Sequence, residues 1–173
     1  MTRHNIGFQV VDRLAKINHI PICIKRSKSL YGTGWIHSQQ VILAQPLTFM
    51  NRSGEAVKKV VDYFRLGIGD LVVVHDDLDL PFGRLRFKQR GGDGGHQGVR
   101  SIIETIGGSN FLRLKVGIGR PPREMDPAEY VLEAFNKIDQ SYLEQIHLRA
   151  AEALKVMLLE GLQTAMNQFQ KRD

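Results

Sequence analysis

Cysteine is nearly absent: Cys23 is the only one in 173 residues. No intramolecular disulfide can form, and a cysteine-ligated metal site is excluded. That usage fits a reducing compartment. No apolar run approaches the ~18 residues that a membrane span needs. A secretory leader is not expected either, because Arg3, His4, Asp12 and Arg13 interrupt any apolar run in the first residues. These absences predict a cytoplasmic protein with no membrane association. Known chemical signatures are missing as well. The chain has neither of the nucleotide-binding patterns GxxxxGK(S/T) and GxGxxG, and it lacks both the GxSxG nucleophile elbow and the HExxH zinc pattern. No repeat, low-complexity stretch or interdomain linker is visible.

Acidic residues are also in short supply, with 18 against 24 basic ones, for a net charge of +6. This is compatible with a polyanionic partner such as nucleic acid, but position matters more than the total. Hydrophobic residues make up 42% and charged residues 24%, the balance of a folded protein. The length predicts one domain over 1–173.

Ile6, Val10, Leu14 and Ile17 form one helical stripe, closed by Pro21. Residues 30–37 and 40–45 predict a hairpin. TFMNRSG leads into a helix carrying Val57, Val60, Val61 and Phe64, with Ser53 as its expected N-cap. LVVV at 71–74 reads as a strand buried on both faces, ending at His75-Asp76-Asp77. RLRFKQR at 84–90 and LRLKVGIG at 112–119 alternate like strands, GGDGGHQG feeds a further helix, and one long helix is predicted over 138–170. Interleaved helices and strands give an α/β fold, a mixed sheet flanked by helices.

Three stretches carry candidate chemistry. Ligands bind beyond the carboxyl ends of strands in open α/β sheets, which singles out Asp76 within HDDLD; ordinary loop solvation competes with that reading. Asp77 and Asp79 are expected to face solvent or cap a turn. The glycines of GGDGGHQG allow close backbone approach before a helix N-terminus, where His96 and Gln97 either bind a ligand or cap the helix. Period-two spacing puts Arg84, Arg86, Lys88 and Arg90 on one strand face, either as a solvated edge or as a surface for phosphates. A metal set of His75, Asp76, Asp77, Asp79 and His96 can be written down, but no specific ligand spacing supports it.

In order, TRHNIGF, QPLTFMNRSGEAV, VVVHDDLDLPFGRLRFK, GGDGGHQGVRSI, FLRLKVGIGRP, YVLEAF and GLQTAMNQF resemble the bacterial-type peptidyl-tRNA hydrolase family over essentially the whole chain. The resemblance implies a metal-free, cofactor-free esterase that releases tRNA and peptide from peptidyl-tRNA, working as a cytoplasmic monomer. It implies that His4 is the base activating water and that Asp76 orients it, roles that suit a histidine's near-neutral pKa and a His–Asp pair. Asn51 matches a substrate-positioning asparagine whose amide donates to an oxygen gaining charge, with Asn5, Phe49 and Met50 alongside. His96 and Gln97 match the substrate loop, and Arg86, Lys88 and Arg90 the tRNA-binding positions. Residues 122–135 resemble a mobile lid beside the peptide cleft.

Two departures stand out. The family's GGHN is GGHQ here, which moves the amide of Gln97 outward by one methylene, so altered substrate positioning is expected rather than lost chemistry. Family members also carry, before TRHN, a buried strand and a GNPG-like loop supplying another active-site asparagine. The expected fold therefore lacks the family's first strand, and a shortened reading of the start is the expectation. A non-catalytic tRNA- or RNA-binding homologue, inactivated by truncation, is the alternative. A metal-dependent phosphoesterase is the third reading, marked by sensitivity to chelator.

Overall fold

The computed structural model describes residues 2–170. Helix α1 (Ile6–Ile17) forms where the apolar stripe predicts it, with Ile6, Val10 and Leu14 all buried at four-residue spacing. Strands β1 (Ile24–Arg26), β2 (Ser29–Ile36) and β3 (Gln39–Pro46) make an antiparallel sheet in that order. The predicted hairpin is β2–β3: Ile36 pairs with Gln39, so the turn is His37-Ser38, and His37 takes φ 53°. A two-residue turn with positive φ matches the twist of the strands it joins.

Then come α2 (Ser53–Phe64), β4 (Val72–Asp77), β5 (Leu85–Lys88), α3 (Gln97–Ile106), β6 (Leu112–Gly117), α4 (Pro127–Leu132), α5 (Lys137–Glu160) and α6 (Leu162–Phe169). The second sheet has the order β4-β6-β5. Bonds from the Leu112 N–H to the Leu71 carbonyl and from the Ile118 N–H to the Asp77 carbonyl ascend together, so β4 and β6 run parallel. Gly117, at the end of β6, donates its N–H to the carbonyl of Arg84, the residue just before β5, which makes that pair antiparallel. The α/β class with a mixed sheet and flanking helices is as predicted.

The chain divides into two compact units. The first comprises Met1–Leu14, Val74–Phe87 and Leu114–Asp173. Its buried apolar residues include Ile6, Val10, Leu85, Phe87, Leu114, Val116, Phe135, Ala150 and Leu154. The second comprises Ala15–Val73 and Lys88–Arg113. Val99, Ile102 and Phe111 centre its core, with Val57, Ile68, Leu71, Val73, Ile103 and Ile106 packed around them.

Several local expectations are corrected. Strand β4 runs on through His75-Asp76-Asp77 instead of stopping before them, and its valines are only half-buried while His75 and Asp76 are buried. Strand β6 does not alternate: Arg113 is fully buried, its guanidinium donating to the carbonyls of Gly91 and Gly92 at 2.6 and 2.7 Å. Burial holds the Arg113 pKa below the ordinary arginine value, against the opposing charge of Asp93. Ser53 is the first residue of α2 rather than its N-cap, and its hydroxyl donates back to the Met50 carbonyl at 2.8 Å.

The single long C-terminal helix is two, because Gly161 takes φ 91° between α5 and α6. That conformation ends a right-handed helix and favours glycine. The proposed lid segment contains the short helix α4, started by Asp126 accepting the Ala128 N–H and by Pro127 at the first position.

Candidate active site

In the first unit, Arg3–Asn5 form one turn of 3-10 helix that runs directly into α1. Residues 3–5 are thus an ordered support for His4. Gly7 sets how closely this support approaches β4. A Cβ at Gly7 would lie 2.3 Å from the Val74 carbonyl oxygen, so only glycine admits the contact. The approach brings His4 Nδ1 to 2.8 Å from Asp76 Oδ1, with side-chain exposures of 12% and 3%.

A carboxylate only accepts, so Nδ1 carries a proton toward Asp76, and in the neutral ring the lone pair then lies on Nε2. The buried Asp76 thereby fixes both the orientation and the tautomer of the ring. Its neighbour His75 is also buried, with Nδ1 donating to the Asp76 carbonyl at 2.7 Å.

Asp79 meets the sequence reading and is exposed. Asp77 caps a turn, its Oδ1 accepting the Asp79 N–H at 2.8 Å, but does not face solvent. It is 10% exposed and ion-paired with Lys115. Burial opposes its ionisation, but the hydrogen bond and charge of Lys115, helped by the Asp79 N–H, hold its pKa below the ordinary carboxylate range. This pair was not visible in the sequence, where Lys115 is one of several alternating cations.

In the second unit, Met50–Arg52 form another 3-10 turn, preceding α2, with Asn51 exposed and Phe49 80% exposed. That turn packs against α3. The Gly54 N–H donates to Ser101 Oγ at 3.0 Å, and a Cβ at Gly98 would lie 2.5 Å from Met50 Sδ. The structure thus brings Phe49-Met50-Asn51 beside the first turn of α3, where His96 and Gln97 lie. His96 is the N-cap of that helix, its Nδ1 accepting the Val99 N–H at 3.2 Å. Gln97 is exposed.

The basic stripe is shorter than predicted. Only Arg86 and Lys88 lie on the exposed face of β5, opposite the buried Leu85 and Phe87. Arg84 precedes the strand and Arg90 follows it, bonded to Asn110 Oδ1 at 3.2 Å. Asn5 closes the turn that carries His4, its N–H donating to the Thr2 carbonyl.

The fold and this contact define the class, an α/β protein with a histidine held against a buried carboxylate. The comparisons identify which members of that class it joins. A family model described as "Peptidyl-tRNA hydrolase" matches residues 1–173, and the chain belongs to the peptidyl-tRNA hydrolase family.

It is 45% identical over 169 residues to the peptidyl-tRNA hydrolase of Chloroflexus aurantiacus, covering 97% of this chain and 90% of that one. It is 47% identical over 161 residues to the chloroplastic peptidyl-tRNA hydrolase of Arabidopsis thaliana. That match covers 92% of this chain but spans only 56% of the length of the plant relative. The crystal structure of peptidyl-tRNA hydrolase from Acinetobacter baumannii superposes with a TM-score of 0.90 at 34% identity, covering 97% of this chain and 86% of the other.

Proposed function

We propose that this chain hydrolyses the ester joining a peptide to the terminal ribose of tRNA, as a single peptidyl-tRNA hydrolase-like domain over 1–173. The observation that carries the reading is the 2.8 Å contact between His4 Nδ1 and the buried Asp76 carboxylate. A proton on Nδ1 leaves Nε2 as the acceptor for a proton from water.

Water then attacks the ester carbonyl as Nε2 takes its proton, and Asp76 stabilises the imidazolium. Collapse of the tetrahedral intermediate breaks the bond to the ribose oxygen, which leaves with the proton held on Nε2. The products are free tRNA and a peptide acid. In this reading the Asn51 amide donates to the oxygen that gains charge. Asn5, Phe49, Met50, His96 and Gln97 contact the substrate, and Arg86, Lys88 and Arg90 take the tRNA backbone. No step calls for a metal or cofactor.

The reading extends to a monomer acting in the cytoplasm. Among the described residues no helix is long and apolar enough to cross a membrane.

The test is hydrolysis of a defined N-acetyl-aminoacyl-tRNA by the purified chain, with EDTA present and beside His4→Ala. Chelator-resistant turnover is expected, with kcat at least ~100-fold lower in the variant. Near-normal turnover by His4→Ala would remove the base from the mechanism. A folded wild-type chain that binds tRNA without hydrolysing it would overturn the enzyme reading.

A further inference from the structure

We propose that Arg3 is a positioning residue for His4, latching the turn that carries the histidine onto residues 130–135; the inference rests on the reading of His4 as the base. Arg3 is 5% exposed, an unusual setting for a guanidinium. Its Cζ sits 3.9 Å from the centre of the Tyr130 ring and 5.5 Å from that of Phe135. Nη1 donates to the Tyr130 carbonyl at 3.1 Å and to Glu133 at 3.4 Å. The backbone follows the same path: the Arg3 N–H donates to the Glu133 carbonyl at 2.9 Å, and Thr2 bridges Ala134. Tyr130 is itself anchored, its hydroxyl donating to the Ile118 carbonyl at 3.0 Å.

Stability alone does not account for this arrangement. Glu133 is 51% exposed, and an ion pair with so wet a partner contributes little. Arg3 Nε has no hydrogen-bond partner among the described residues, so the buried cation is incompletely satisfied. An apolar side chain of similar volume would cover the same surface without that cost. What an apolar residue cannot supply is direction. The planar guanidinium is held by a ring face and a carbonyl at once, which fixes the turn in rotation as well as in place. His4 is the next residue in that turn, so its ring inherits the alignment toward Asp76.

Arg3→Met, which keeps the stem and removes the fork, tests this in the full chain. A misplacement near 1 Å costs up to ~100-fold in rate, so kcat should fall roughly 10- to 100-fold with KM held within about twofold. Arg3→Lys keeps the charge without the plane, and an intermediate loss is expected. In a His4→Ala background Arg3→Met should cost nothing further, because its effect passes through the imidazole. The His4 Nδ1 proton, followed by NMR, should broaden in Arg3→Met as its bond to Asp76 loosens.

Wild-type kcat with an undisturbed His4 proton in Arg3→Met would overturn the inference. Equal losses in both backgrounds would overturn it too, since that marks a general structural defect. If Arg3→Met does not fold, Arg3→Lys with wild-type kcat decides against the latch. The NMR signal reads the latch even if His4→Ala proves active, so failure of the base assignment remains distinguishable.

Discussion

Replacing Gly7 by alanine asks whether the approach of α1 to β4 sets the His4–Asp76 pair. The added methyl would sit 2.3 Å from the Val74 carbonyl oxygen and 3.0 Å from its carbon. Both are backbone atoms of a strand and cannot rotate away. Restoring an ordinary carbon–oxygen contact near 3.3 Å takes a displacement of about 1 Å. His4 lies three residues upstream, so the same shift stretches a 2.8 Å bond to nearly 4 Å, beyond hydrogen-bonding reach. Overpacking costs about 1–3 kcal/mol, and alanine returns up to ~1 kcal/mol in helix propensity. A net loss of about 0–2 kcal/mol lowers Tm by at most roughly 8 °C in a chain of this size. The loss of rate should be larger, about 10- to 100-fold in kcat. Thermal unfolding and N-acetyl-aminoacyl-tRNA hydrolysis, measured on the same preparation below the melting range, separate the two effects. A variant with wild-type kcat would refute the claim that this contact sets the pair.

Asp77→Asn tests the buried ion pair with Lys115 by its pH signature. The folded pKa of Asp77 lies below its unfolded value near 3.9. The pair therefore stabilises the fold above that pH and loses its contribution as pH falls through the lower folded value. Tm measured from pH 6 down to pH 2.5 should fall less steeply in Asp77→Asn than in wild type; parallel curves would refute the assignment. Arg86→Ala with Lys88→Ala should raise KM for peptidyl-tRNA more than it lowers kcat. It should also flatten the dependence of log KM on log salt by roughly 0.7–0.9 for each phosphate that the variant no longer neutralises. An unchanged KM and salt slope would remove β5 from the tRNA surface.

Local pattern carried much of the architecture. The stripe Ile6–Val10–Leu14 specified α1, and the turn between Ile36 and Gln39 set the β2–β3 register. The alternation in β5 correctly put Leu85 and Phe87 inside, with Arg86 and Lys88 outside. Period fails where long-range pairing decides burial. The valines of β4 read as the buried part of the strand, yet its polar end is the buried part. Arg113 reads as an outward cation, yet it is enclosed because the Gly91 and Gly92 carbonyls satisfy it. The apolar spacing runs on through 138–170 as one helix, but the positive φ of Gly161 splits it into two.

For the candidate site the division is similar. The sequence by itself presented His4 ahead of a helix, Asp76 after an apolar run, a TFMN segment leading into a helix and a glycine-rich loop, and the motif order marked the family. It held no physical reason to join His4 to Asp76, which stand 72 residues apart. Tertiary structure makes that connection, because Gly7 lets α1 rest on the backbone of β4 and the buried carboxylate of Asp76 then meets the ring at 2.8 Å. It also decides what Arg3 does. Side-chain chemistry is written residue by residue, whereas distance and burial are set only when strands and helices distant in the chain close on one another.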